Sequence, residues 1–432
     1  MRVPPPVRGL RPDRARRGRP GRPVSRLTAA MTLVVLALVT AGFAGFAVWS
    51  FSVIRGFPGE KRPEISKLEP VQIVGREQTV FDWSRDACEP RDIPDAPARA
   101  FRDSSGQVNL VATHYVNRRF VGPSLNSVKH QCGVILNSGF QANPAAYDDR
   151  QWLASPYTPD GRRVYALVHD EYQGNEHPGR CATGVYLRCW YNAITFARSD
   201  DGGATFSQPP APRRVIAAAP YRYSPDSGAW GIFQPSNIVR NDRDGYYYAM
   251  VFAQHHKSQQ RGTCLIRTRA LAQPASWRAW DGKNFTVRFA DPYSVAQIAA
   301  ADHVCTPVSF DEIGDMSHSL TYNTYLQKYM LVSPTAQEDR GRTVYGFYYS
   351  TSDDLIHWEP RKLIREVSLL STHKCGDRNP VMYPSVLDPR SGSRNFETVG
   401  RTAWMYFTRY HYKGCELTLN RDLVRVRVRF SK

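Results

Sequence analysis

The chain contains no Cys-x-x-Cys pair, so a zinc ribbon has no ligand set to build on. No cysteine precedes Cys88, which removes a lipid-modified cysteine as a membrane anchor. Beyond residue 26 there is no run of like charge, although the formal net charge is +18. Nine Arg and one Asp crowd into residues 1–26, and the remaining excess is spread thinly. That distribution describes a basic tail and a solvated surface, not a nucleic-acid groove, and no nucleic-acid partner is expected. Helix formers do not dominate. Aromatics at 12%, with 30 Gly and 31 Pro, point to many short strands joined by turns.

Charge is also missing from "LTAAMTLVVLALVTAGFAGFAVWSFSVI", Leu27 to Ile54. The segment exceeds the roughly 20 residues that cross a bilayer core. Arginines precede it, so the amino terminus is expected on the cytoplasmic side. The reading is a basic cytoplasmic tail (1–26), a single-pass transmembrane signal anchor (27–54), a stem (55–69) and a periplasmic or extracellular domain (70–432). The competing reading is a cleaved signal peptide, because "AGFAGFA" offers small-x-small sites. All eight cysteines follow the segment, an even count that implies disulfides in an oxidising compartment. Of the roughly 105 connectivities eight cysteines allow, only the local pair Cys181–Cys189 suggests itself.

From residue 70 a turn followed by an aromatic and β-branched strand recurs at 105–115, 160–172, 244–254, 326–334 and 399–410. A shorter strand leads each: "DIPDAPARAF" (92–101), "DDRQWLAS" (148–155), "GIFQPSNIV" (231–239), "DMSHSLTY" (315–322) and "VMYPSVLD" (381–388). At least four are followed by a further strand pair. The pattern predicts an all-β, five-bladed β-propeller of four-stranded antiparallel blades behind the transmembrane helix. The early "VQIVGREQTVFDW" is available to complete the last blade, and an irregular β-sandwich is the alternative.

"RSDDGGATFSQ" (198–208) sets two acids beside two glycines. Adjacent Asp200 and Asp201 in a turn cannot face each other across a substrate, and the terminal Glu of a calcium loop is missing. Asp and Ser side chains do accept backbone amides inside tight turns, so the acids are expected to hold the turn. Ser199, Asp201, Gly203, Thr205 and Phe206 resemble the Asp box of sialidase-type propellers. "STSDDLIHWEP" (350–360) resembles hairpins of the five-bladed glycosidases that act on furanosides, and "ASWRAWDG" (275–282) is a looser version. The local motifs cover about a tenth of the chain; beyond them the resemblance is architectural.

Inner strands of a propeller line a channel, and their entry ends face the ligand. Those ends nominate Asp92, Asp149, Gln234, Asn237, His318 and Tyr383 as substrate-binding residues, with Trp230 as a sugar platform. Glycoside cleavage needs two carboxyl groups flanking the bond, one protonated and one ionised. The resemblance implies an Asp opening the first blade as general base, and Asp95 fits best. It also implies a Glu in the third blade, where this chain has Gln234, an amide that cannot act as an acid. Glu171, supported by His169, is then the candidate acid, from the second blade. The expected function is hydrolysis of a poly- or oligosaccharide, inverting if active, with non-catalytic glycan or envelope binding as the alternative. A sialidase is disfavoured because its Arg triad and R-I-P sequence are not visible; a protein-interaction scaffold stays open. No cofactor is implied, and a channel calcium stays open although no ligand spacing demands it.

Overall fold

The computed structural model describes residues 71–294 and 298–432. The basic tail, the apolar segment 27–54 and the stem 55–69 therefore lie outside the described residues. No described helix is long and apolar enough to cross a membrane. The described residues are all-β, and their few helices are no longer than four residues.

Five antiparallel sets of strands follow one another along the chain. The first is Arg99–Arg102, Val108–Val111, Asn117–Gly122 and Lys129–Leu136. The second is Arg150–Tyr157, Val164–Gln173, Cys189–Ser199 and Val215–Ala217. The third contains Val239–Arg240, Tyr247–Ala253, Gly262–Thr268 and Arg278–Ala279. The fourth runs Ser319–Asn323, Lys328–Asp339, Arg342–Ser352 and Lys362–Glu366. The fifth is Val381–Leu387, Thr402–Lys413 and Glu416–Phe430. Its outer edge is completed by Val71–Ile73 and Gln78–Phe81, from the other end of the described chain.

Two features depart from the sequence reading. Residues 92–98 form no strand; the leading strand of the first set begins at Arg99. The second and third sets are not separate, because Gly228–Phe233 pairs in parallel with Cys189–Ser199 and antiparallel with Tyr247–Ala253. Gly231 makes that bridge possible: its φ is 113°, and a Cβ there would collide with the Asn192 carbonyl.

Apolar clusters separate successive sets. Phe101 and Val111 meet Leu153 and Val168; Leu167 and Ile194 meet Ile232 and Val251. Met250 and Leu265 meet Leu331 and Tyr348, while Val332 and Phe347 meet Met405 and Val426. Tyr406 and Leu423 then pack on Leu110 and Phe120, so the fifth set rests on the first. Short polar side chains tie the inner strands in the same order. Asn117 donates to the Gln151 carbonyl at 2.7 Å and accepts from the Leu153 amide at 2.8 Å. Ser155 reaches the Ser236 carbonyl, and Asn237 spans both backbone groups of Leu320. Ser319 accepts from the Val386 amide at 3.0 Å, and Ser385 donates to the Ala98 carbonyl at 2.7 Å.

All eight cysteines are paired, as Cys88–Cys132, Cys181–Cys189, Cys264–Cys305 and Cys375–Cys415. In the turn at 199–206, Ser199 accepts the Gly203 amide at 2.8 Å, and Asp201 accepts the Thr205 amide at 2.9 Å and its hydroxyl at 2.6 Å. Gly203 lies against Phe101, with no room for a side chain. Asp200 pairs outward with Arg198. Both acids serve the turn and its surface. Asp201→Ala should lower unfolding free energy by about 0.5–1.5 kcal/mol, because the Thr205 amide and hydroxyl lose their acceptor. Urea denaturation checks this, and an unchanged midpoint would contradict the assignment.

Candidate functional site

Asp95 reaches its position on a proline-rich segment fastened at its start. The Asp92 carboxylate accepts the Cys88 amide at 2.8 Å and meets His130 Nε2 at 2.7 Å, beside the Cys88–Cys132 disulfide. Three residues on, Asp95 pairs with Arg421 from the last hairpin and hydrogen-bonds Trp152 of the second set and Tyr383 of the fifth. His114 Nε2 of the first set lies 3.9 Å away. Burial pushes the Asp95 carboxyl up; the Arg421 charge and the Trp152, Tyr383 and Arg421 hydrogen bonds pull against that.

Glu171 lies near the end of Val164–Gln173 and is also buried. Its Oε2 accepts from Gln173 Nε2 at 3.0 Å and from the Tyr186 hydroxyl at 3.1 Å. Tyr186 sits in the loop closed by Cys181–Cys189. Burial above all raises Glu171 to about 8; the charge of Asp95 adds to this, and Gln173, Tyr186 and Arg150 oppose it. Tyr383 feels the charges of both acids, so the two carboxyls belong to one site.

His169 lies beneath Glu171, with Nδ1 3.7 Å from Oε1 and Nε2 2.8 Å from the Asn192 side-chain oxygen. Burial lowers it to about 4, so it is neutral at pH 7 and presents no charge to Glu171. His318 is lowered further, to about 3, by burial and by the charge of Arg99. Its ring lies 6.1 Å from that of Tyr383, which adopts a left-handed φ of 60°. The wall between these groups is aromatic: Trp152 to His169 at 6.0 Å, His169 to Phe233 at 6.2 Å, and Phe233 to Trp190 at 5.2 Å. Gln234 follows Phe233 directly and is half-buried.

Four nominated binding residues are turned into the protein instead. Asp92 holds the loop before Asp95. Asp149 accepts the Gln173 amide at 2.8 Å and pairs with Arg150 and His177, each at 3.0 Å. It therefore stands behind Glu171, fixing two of that residue's neighbours. Trp230 is 1% exposed, stacked 4.0 Å from His256 and packed on Tyr191, so it presents no free face to a sugar. Asn237 is consumed by Leu320. These side chains point between strand sets, where backbone groups need partners, and position along a strand does not reveal that orientation.

Arg421, Tyr186, Trp152 and Arg99 carry no signal in the sequence that nominates them for the site. Arg421 comes from 326 residues beyond Asp95. Around it, "LNRD" interrupts the strict alternation of "VRVRVRF", where the long hairpin is irregular. Arg99 reaches from the first set to the carbonyl of His318, next to the first strand of the fourth, two sets that do not follow one another in the chain. The two clusters of metal-binding residue types, Cys88–Asp92–His130 and Cys181–Cys189–Asp226, use disulfide sulfurs and have no thiolate to offer.

The raised Glu171 carries a stability cost with a definite sign. Unfolded, it loses its proton near its ordinary 4.5; folded, it keeps it to about 8. The native state is therefore penalised progressively as pH rises between those values, and no further above them. Glu171→Gln should gain stability over the wild type across that window, on the order of 2–4 kcal/mol by pH 8, and none below pH 4. Denaturant melts at several pH values test this; a pH-independent difference would mean that Glu171 is not protonated in the native state.

No family model matches the chain, and no curated protein matches it. Among solved structures, it is similar to a thermostable family-43 glycoside hydrolase at 10% identity, covering 86% of this chain and 94% of the other, with a TM-score of 0.41. It is similar to the alpha-L-arabinanase of Cellvibrio cellulosa at 11% identity, 76% and 90% coverage and a TM-score of 0.41. The endo-arabinase of Bacteroides thetaiotaomicron gives 11% identity, 79% and 96% coverage and a TM-score of 0.40. At these scores the likeness carries no statement about activity or substrate.

Proposed function

We propose that residues 70–432 form a five-bladed β-propeller that binds and hydrolyses a poly- or oligosaccharide, held outside the cytoplasm by a transmembrane helix at 27–54. The cyclic packing of the five strand sets supports the blade count. Four disulfides support an oxidising compartment. The observation that carries the activity is the pair of buried carboxyls, Asp95 from the segment ahead of the first strand set and Glu171 from the second set, with Glu171 raised to about 8.

In this reading Glu171, protonated at neutral pH, gives its proton to the glycosidic oxygen as the bond to the anomeric carbon breaks. A water attacks that carbon from the opposite face while Asp95 accepts the water's proton. One water is consumed and one new hemiacetal forms. Proton exchange with solvent then restores both carboxyls. Arg421 and Tyr383 hold Asp95 in place, and Gln173 and Tyr186 orient Glu171. An inverting mechanism is the expectation, since carboxyls delivered from separate segments of the chain leave room for a water between them.

A second reading, glycan binding without cleavage, has two observations behind it. Gln234 stands where the resembling glycosidases have an acid, and Arg421 occupies the Asp95 carboxylate. Reducing-end release from a panel of bacterial and plant polysaccharides separates the readings. Glu171→Gln is expected to cut release by about 10²–10⁴-fold while leaving affinity intact. In the wild type, kcat/KM should fall above about pH 8 as Glu171 loses its proton. Saturable binding with no new reducing ends would establish the second reading. Asp95→Asn should also silence release, but it leaves Arg421 buried without its partner, so its loss of stability must be measured alongside.

A further inference from the structure

A ladder of aromatic rings leads from the carboxyl pair to the surface. Trp152, which hydrogen-bonds Asp95, meets Tyr115 edge-on at 5.5 Å, and Tyr115 meets Phe140 edge-on at 5.7 Å. Phe140 is 49% exposed, and only Leu419 joins it as an exposed large apolar side chain among the described residues. It is firmly held. Its amide donates to the Asp149 carbonyl at 3.0 Å, the Gln141 amide to the Asp148 carbonyl at 3.0 Å, and the Gly139 amide to the Asp148 carboxylate at 3.1 Å. A rigid apolar ring facing solvent beside a polar site is what sugar stacking needs.

Cations flank the same ladder. The Arg150 guanidinium lies 5.8 Å from the Tyr115 ring and 5.6 Å from the Phe140 ring, and that of Arg91 lies 6.0 Å from Tyr115. Asp149 neutralises Arg150. Arg91 is exposed, and no carboxylate among the described residues pairs with it. Arg421, Arg91 and Arg150 together, added to burial, hold His114 well below its ordinary range.

We propose that Tyr115, Phe140, Arg91 and Arg150 form an outer subsite for a sugar ring bearing an anionic group, a carboxylate or a phosphate. The inference rests on the reading of Asp95 and Glu171 as a glycan site and names its substrate class: an acidic oligosaccharide whose charged unit sits one or more rings away from the bond between the carboxyls. Phe140 supplies ring stacking without regard to charge. Arg91 supplies the preference for the anion.

Titration calorimetry on the full chain tests it with two acidic probes, tetragalacturonate and a phosphorylated oligomannoside. Each is compared with its uncharged counterpart, the methyl ester or the dephosphorylated sugar. At least one acidic probe should bind about tenfold tighter than its neutral form, the scale of one hydrogen bond to a charged group. Arg91→Gln should erase most of that preference and its salt dependence. Phe140→Ala should weaken the charged and neutral forms alike, by about fivefold for one lost ring contact. Equal affinity for charged and neutral forms, no binding of either acidic probe, or a Phe140→Ala variant indistinguishable from wild type would overturn the proposal. Reducing ends measured in the same mixtures keep the two readings apart. Charge-selective binding without release removes the hydrolase and leaves the subsite, whereas release from neutral chains without charge preference does the reverse.

Discussion

Everything in this fold hangs on a few short side chains that join one strand set to the next. An innermost strand has one edge with no strand beside it, and its backbone groups cannot be left dry and unpaired. Asn117, Ser155, Asn237, Ser319 and Ser385 each meet that need by reaching across to the neighbouring set. Because Ser385 ends on Ala98, the circle of ties returns to its start. The apolar clusters supply the bulk of the burial energy, but they are non-directional. The polar ties fix how each set is turned, and with it where Asp95, Glu171 and Tyr383 point.

The strand sets were readable because their signals are local: turn residues, then alternation, repeated. The turn at 199–206 was readable for the same reason, since Ser199 and Asp201 bond only to residues within a few positions of themselves. Asp95, Glu171 and His169 come together with Tyr383 and His318; strand entry ends nominate the last two, whereas Asp95 follows from the family resemblance and Glu171 and His169 from the search for an acid to replace Gln234. The logic of entry ends failed for Asp149, Trp230 and Asn237, because a residue near a strand start faces either the opening or the next set, and only the packing decides which. It failed for Arg421 for a different reason. A guanidinium delivered from the far end of the chain leaves no mark near its target. The bridging strand at Gly228–Phe233 was hidden too, since a parallel pairing across two sets has no periodicity of its own.

The site gathers several groups in unfavourable electrostatic surroundings. A protonated carboxyl, two neutral histidines and a carboxylate–guanidinium pair are buried within a few side chains of one another. Such groups stay in place only if the surrounding backbone is held. Three disulfides do that work: Cys88–Cys132 fastens the start of the segment that carries Asp95, Cys181–Cys189 closes the loop of Tyr186, and Cys375–Cys415 pins the hairpin that carries Arg421. Cysteine placement and site placement are thus one design, with rigid rims offsetting a destabilised centre.

The pairing of Val71–Ile73 and Gln78–Phe81 with Glu416–Phe430 has a consequence for biogenesis. The last sheet takes strands from both ends, so its outer edge stays vacant until the final residues have been delivered. A nascent chain emerging amino terminus first must carry two orphan strands through synthesis, waiting for a partner more than three hundred residues away. Completion of the last strand is then the event that shuts the molecule. A chain truncated short of it would leave Val71–Ile73, Gln78–Phe81 and Thr402–Lys413 with unpaired edges, which invite pairing with another chain.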